Sequence, residues 1–135
     1  MRNDTQENNA FIMFAVNAPI DKEAEKLYVE LQLGLPFKQL TGCYKNEIET
    51  CYLVALTNGK DYTKENLKIV DKVLEFAKKN HQESVLLCDV ARNTQLLYIE
   101  DNKLESIGTF QKSFPAEAIE SGNWTLNGNQ FWVVK

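Results

Sequence analysis

Histidine is nearly missing: His81 is the only one in 135 residues. It stands between Lys79-Asn80 and Gln82, in a polar connection with no second ligand at metal-binding spacing, and reads as a solvated surface residue. Neither GxSxG, nor a phosphate-binding loop, nor GxGxxG occurs. No metal and no cofactor is therefore expected, and any chemistry must need few protein groups. Cysteine is sparse as well. Cys43, Cys51 and Cys88 are odd in number, widely spaced and without a CxxC pair, as reduced thiols of a cytoplasmic protein would be. Basic charge is not in excess: 15 Lys and Arg against 19 Asp and Glu leave a net charge of −4. That balance argues against a nucleic-acid partner, whose phosphates call for a basic footprint. The longest apolar run, Ala10–Val16, is far short of the ~20 residues that cross a bilayer, so no membrane partner is expected. Met1–Asn9 is polar, lacks the apolar core of a signal peptide, and reads as a disordered arm.

Apolar residues make up 44% of the chain, enough for one packed domain, expected over residues 10–135. Ala10–Val16 reads as a strand buried on both faces, since it is a continuous apolar run rather than an alternation. Asn17-Ala18-Pro19 ends it. Asp21 can cap a helix over roughly 21–33, with Glu23 and Glu25 in the first turn, Ala24, Leu27 and Leu31, with Tyr28 as a further candidate, as its apolar stripe, and Gly34 at its end. Pro36–Tyr44 and Glu49–Leu56 read as strands joined by the four residues Lys45–Ile48. After the Asn58-Gly59 turn, Thr63 can cap a helix over about 64–80, facing the core with Leu67, Val70, Val73, Leu74 and Ala77. Ser84–Val90 is a fourth strand.

The order β-α-β-β-α-β is that of an α+β ferredoxin-like core. Its fourth strand would lie at a sheet edge, and SVLLCDV is too apolar for a bare edge. Either the C-terminal extension 92–135 or a neighbouring subunit should cover it. Within that extension Gln95–Glu100, Lys103–Thr109 and Gln130–Val134 read as further strands, with turns at Gly122 and Asn127-Gly128. The aromatic residues Phe110, Phe114, Trp124, Phe131 and Trp132 read as a small satellite core, although such faces also suit a cation or an adenine.

Chemistry concentrates in Leu40-Thr41-Gly42-Cys43-Tyr44-Lys45-Asn46-Glu47-Ile48-Glu49. A four-residue connection would bring the phenol of Tyr44 and the carboxylate of Glu49 together across a hairpin, on a loop held by a sheet.

Four ordered stretches resemble the small phage-encoded S-adenosylmethionine-degrading enzymes, which are lyases. They are Asn9-Ala10-Phe11, Leu40-Thr41-Gly42-Cys43-Tyr44, Gln82-Glu83-Ser84-Val85-Leu86, and Gly108-Thr109-Phe110-Gln111 with Gly122-Asn123-Trp124-Thr125 and Trp132-Val133-Val134. The resemblance implies a ferredoxin-like, PII-like homotrimer with active sites between subunits. It also implies cleavage of S-adenosylmethionine to 5′-methylthioadenosine and L-homoserine lactone, and an antirestriction role through depletion of the methyl donor. It carries catalytic roles onto Tyr44 and Glu49. The loop between them is shorter than the family's, so Glu47 competes for the carboxylate role and otherwise stands as a substrate-binding residue. Gln82 is implied as a further substrate contact. Two other functions stay open: a non-catalytic trimer binding an adenine-containing effector, and a protein inhibitor of a host factor.

Overall fold

The computed structural model describes residues 9–16, 21–56 and 64–135. Most of the polar N-terminal arm, the Asn17-Ala18-Pro19 and Asn58-Gly59 turns and the Thr63 cap lie outside the described residues. In chain order the elements are β1 (Phe11–Ala15), α1 (Lys22–Leu33), β2 (Lys38–Tyr44), β3 (Glu47–Ala55), α2 (Lys64–Lys79), β4 (Ser84–Cys88), β5 (Asn93–Tyr98), β6 (Leu104–Ser113), α3 (Pro115–Ser121), β7 (Trp124–Asn127) and β8 (Gln130–Val134).

The order of elements over β1–β4 is as read from the sequence, but the fold class is not. The strands do not form an open ferredoxin-like sheet. They close into an antiparallel barrel in the order β1-β3-β2-β7-β8-β6-β5-β4, with β4 returning to β1. The physical reason lies in the C-terminal extension. β5 pairs along β4, from Ser84↔Tyr98 to Cys88↔Thr94, and β7 pairs with β2, from Thr41↔Leu126 to Cys43↔Trp124. Both edges that an open sheet would leave bare are thereby paired within one chain. The apolar edge of β4 therefore supplies no argument for a neighbouring subunit.

Barrel closure gives the strands two different buried faces. Phe11, Met13, Leu40, Cys51, Leu53, Cys88, Phe110 and Trp132 fill the interior. Ile12, Phe14, Tyr52, Val54 and Val85 point the other way, against Val29 and Leu33 of α1 and Val73, Phe76 and Ala77 of α2. β1 sits where both layers meet, which is why AFIMFAV is apolar without alternation. Each large apolar side chain buried in this way contributes about 1.5–3 kcal/mol. Of the C-terminal aromatics, Phe110 and Trp132 stack in the interior at 5.1 Å between ring centroids. Trp124 meets Phe131 edge-on at 5.1 Å, and Phe114 is 81% exposed.

Helix α1 begins as its sequence dictates. The Asp21 carboxylate accepts the amide of Ala24 at 2.9 Å, and Gly34 ends the helix in the left-handed region at φ 70°. Its buried stripe differs from the expected one. Glu25, Val29 and Leu33 face the barrel, while Leu27 and Leu31 face solvent. The buried positions follow i, i+4 spacing from Glu25, which faces the barrel because its carboxylate accepts the hydroxyl of Tyr52 at 2.7 Å, and Tyr28 beside them is half-buried. His81 is exposed, in the left-handed region at φ 59°. Among the described residues, no helix is long and apolar enough to cross a membrane.

Candidate active site

The β2–β3 hairpin is tighter than its sequence suggests. Lys45 and Asn46 both have positive φ, 51° and 67°, the signature of a two-residue type I′ turn. Tyr44 therefore stands opposite Glu47 and Gly42 opposite Glu49, in place of the expected four-residue loop with Tyr44 close to Glu49. Residues opposite one another share a face, and alternation from Leu40, Cys51 and Leu53 puts Gly42, Tyr44, Glu47 and Glu49 on the inner face. Tyr44 and Glu49 are diagonal neighbours on that face, at a typical Cα spacing of about 7–8 Å that long side chains bridge. These residues extend past the packed interior and form part of the rim at one end of the barrel.

Gly42 sits closely against Cys51 beside Glu49. A Cβ at this position would lie 3.3 Å from Cys51 Sγ and 3.9 Å from Glu49 Cγ. Surrounding protein raises the Glu49 carboxyl above its ordinary value by partial desolvation, and the neighbouring Glu47 charge raises it further. Glu49 nonetheless remains exposed, so a ligand can reach it. Below it Cys51 is pushed up to about 12, by burial first and then by the Glu49 charge. That thiol stays protonated at neutral pH and is a poor nucleophile.

The hairpin tip is fastened to the corner between α3 and β7. Asn123 Oδ1 accepts the Lys45 amide at 2.9 Å, and the Gly122 carbonyl accepts the Asn46 amide at 3.0 Å. Gly122 closes α3 at φ 75°, and a Cβ there would meet Asn46 Oδ1 at 2.7 Å. Only glycine fits both the backbone and the close approach. Gly122-Asn123 thus positions the segment that carries Tyr44, Glu47 and Glu49.

Gln82 comes to the same end of the barrel by another route. β1 pairs Ala15 with Cys51 and Met13 with Leu86, so the start of β4 lies near the hairpin end of β3. Gln82 just precedes β4, its amide held by the Ala77 carbonyl at 2.9 Å. It lines a shallow, solvent-open cleft of about 510 Å³ with Lys78, Glu83, Tyr98, Glu100 and Asp101. The Gln82 side-chain nitrogen is buried without a hydrogen-bond partner among the described residues. Tyr44, Glu47 and Glu49 therefore form one cluster, and Gln82 belongs to an adjoining one, with no hydrogen bond between the two among the described residues.

Sequence reasoning missed Tyr98, which lies between them. Register places it on the inner face opposite Ser84, at the rim end of β5. It lines the cleft beside Gln82, and its hydroxyl donates to Glu105 Oε1 at 2.7 Å. That hydrogen bond is the main cause that raises the phenol, and Tyr44 is near enough to add to the shift. The alternation Leu96, Tyr98 in NTQLLY was the available signal. Among the described residues, no group of three or more His, Cys, Asp or Glu side chains could hold a metal ion.

The model of a protein family described as the S-Adenosylmethionine lyase family matches residues 14–135, which contain every residue of both clusters. Comparison with curated proteins returned no match.

Proposed function

We infer the reaction of this chain from the premise that it belongs to the S-adenosylmethionine lyase family. S-adenosylmethionine is the substrate, and the barrel rim is where it is cleaved. The observation that carries this reading is the inner-face cluster of Tyr44, Gly42 and Glu49, open to solvent beside a cleft of about 510 Å³.

The substrate supplies its own nucleophile and leaving group. One oxygen of its carboxylate attacks its γ-carbon, and the carbon–sulfur bond breaks with its electron pair passing to sulfur. The positive sulfonium becomes the neutral thioether of 5′-methylthioadenosine, and the methionine chain closes into L-homoserine lactone. Charge balances with no proton transferred. The protein has only to hold the chain bent in a near-attack geometry and keep out water, which is catalysis by proximity and orientation.

Within this reading Glu49 receives the positive end of the substrate, its ammonium or sulfonium. A carboxylate crowded by protein and by Glu47 gains more from a cationic ligand than a fully solvated one would. Tyr44 donates a hydrogen bond that fixes the bent conformer. Glu47, directly opposite Tyr44, contacts the substrate from the hairpin tip, and Gln82 offers its unpartnered amide nitrogen to an acceptor on the substrate. The open rim also suits coverage by a second copy of the chain in a homotrimer. Depletion of the methyl donor would make the enzyme an antirestriction agent of a phage, acting in the host cytoplasm.

The test is chromatography of the protein incubated with S-adenosylmethionine in metal-free buffer, beside Glu49→Gln and Glu47→Gln. Methylthioadenosine from the wild type and not from Glu49→Gln is the expected result. Loss only in Glu47→Gln would move the carboxylate role by one inner-face position. No methylthioadenosine from any sample would remove the lyase reading and leave binding of an adenine-containing effector to be measured. Light scattering on the active protein checks the assembly, and a fully active monomer would exclude a shared site.

A further inference from the structure

Tyr98 stands at the junction of the two clusters. It is on the inner face of β5, lines the cleft that holds Gln82, and lies within electrostatic reach of Tyr44 on the hairpin. Its hydroxyl is committed to Glu105 at 2.7 Å, which fixes the ring and keeps a carboxylate beside it. Glu105 shares that inner face, since β6 pairs it with Leu96. An aromatic ring with a carboxylate at its edge, beside a cleft whose lining sets Glu83, Glu100 and Asp101 against Lys78, is on balance acidic chemistry that receives a cation.

We propose that Tyr98, held by Glu105, is a substrate-contacting residue that recognises the positive sulfonium and so discriminates S-adenosylmethionine from its neutral thioether analogue. This rests on the reading above, since it assigns a selectivity element to the same site. It also gives that site a physical means of rejecting a thioether of nearly the same shape. The ring attracts only the charged form, and the rim carboxylates add to the preference. Glu105 acts through Tyr98 and is a positioning residue.

The experiment compares two non-cleavable probes by calorimetry: S-adenosylhomocysteine, a neutral thioether, and the analogue in which an amine-bearing carbon, protonated at neutral pH, replaces the sulfonium. Wild type, Tyr98→Phe and Tyr98→Leu are each titrated with both. The wild type should prefer the cationic probe. Tyr98→Leu should weaken that probe about ten-fold and the thioether less than three-fold. Tyr98→Phe keeps the ring but loses the Glu105 hydrogen bond and should retain part of the preference, while the thioether affinity kept by Tyr98→Leu shows that this variant is folded. In the same preparations KM for S-adenosylmethionine should rise with Tyr98→Leu more than kcat falls. Equal weakening of both probes, or no weakening of either, would overturn the assignment of Tyr98 while wild-type turnover left the lyase reading intact. Failure of the wild type to bind or turn over would overturn both.

Discussion

Strand β3 carries two phenol–carboxylate constellations three residues apart, one on each face. On the helix side, Tyr52 is 0% exposed and donates its hydroxyl to the buried Glu25 at 2.7 Å, while Gln39 donates to the same hydroxyl at 3.1 Å and to the Lys22 carbonyl at 3.0 Å. On the inner face, Glu49 and Tyr44 lie exposed at an open rim, and no hydrogen bond joins their side chains among the described residues. The chemical groups are the same and their situations are opposite. The first set is satisfied internally, so it holds α1 on the barrel and has nothing left for a ligand. The second is left with unspent capacity beside a cleft. A phenol and a carboxylate become a candidate site when the fold withholds their partners, and a structural tie when it supplies them.

The sharpest way to break this contrast is to neutralise each carboxylate constellation in turn. Glu49→Gln should reduce methylthioadenosine formation by about 10²–10³-fold, the scale of losing one charge-stabilising group in a site, without lowering the unfolding midpoint. Tyr52→Phe should do the reverse. It strands the Glu25 carboxylate without its donor and should cost about 1–3 kcal/mol in denaturant unfolding, while turnover per folded molecule stays within two-fold of wild type. Asn123→Ala removes the acceptor of the Lys45 amide and loosens the hairpin tip. It should cost about 0.5–1.5 kcal/mol and raise KM, whereas Asn123→Asp, which keeps the acceptor, should restore most of the affinity.

The smallest effect is a pH dependence. The Glu49 carboxyl is raised in the folded chain, by desolvation and then by Glu47, so the fold favours its protonated form. That contribution is fully present below the ordinary carboxylate value and is lost as pH rises through the raised one. Melting curves of wild type and Glu49→Gln should therefore coincide near pH 4 and separate towards pH 7, with the variant higher. Coincidence across the whole range would show that the rim carries no such tension.

The hairpin shows how far local sequence could be read. Both flanking strands were legible from their β-favouring residues, and so was the hairpin that joins them. The register was not. Lys45 gives no sign that it will adopt positive φ, so the turn reads as four residues where the structure uses two, and the partner of Tyr44 changes from Glu49 to Glu47. Glu25 reads as an ordinary first-turn acid, because its burial depends on Tyr52, which comes from a distant strand. Tyr98 was passed over for the same reason: its partner Glu105 and its neighbour Tyr44 meet it only across the barrel mouth.

The amino-acid sequence alone determined the elements of β1 to β4 and their order, the cap of α1, and the apolar character of β4 that demanded cover. These follow from periodicity, capping and composition, which act over a few residues. The tertiary structure alone decided that the cover is the chain's own C-terminal strands, that the sheet closes into a barrel in place of an open ferredoxin-like layer, and which phenol and carboxylate keep their partners. Those outcomes depend on pairings such as Gly42 with Thr125 and Phe110 with Val134. Strand pairing exchanges backbone hydrogen bonds that nearly any side chain permits, so the local sequence leaves the choice of partner to the packing of the whole chain.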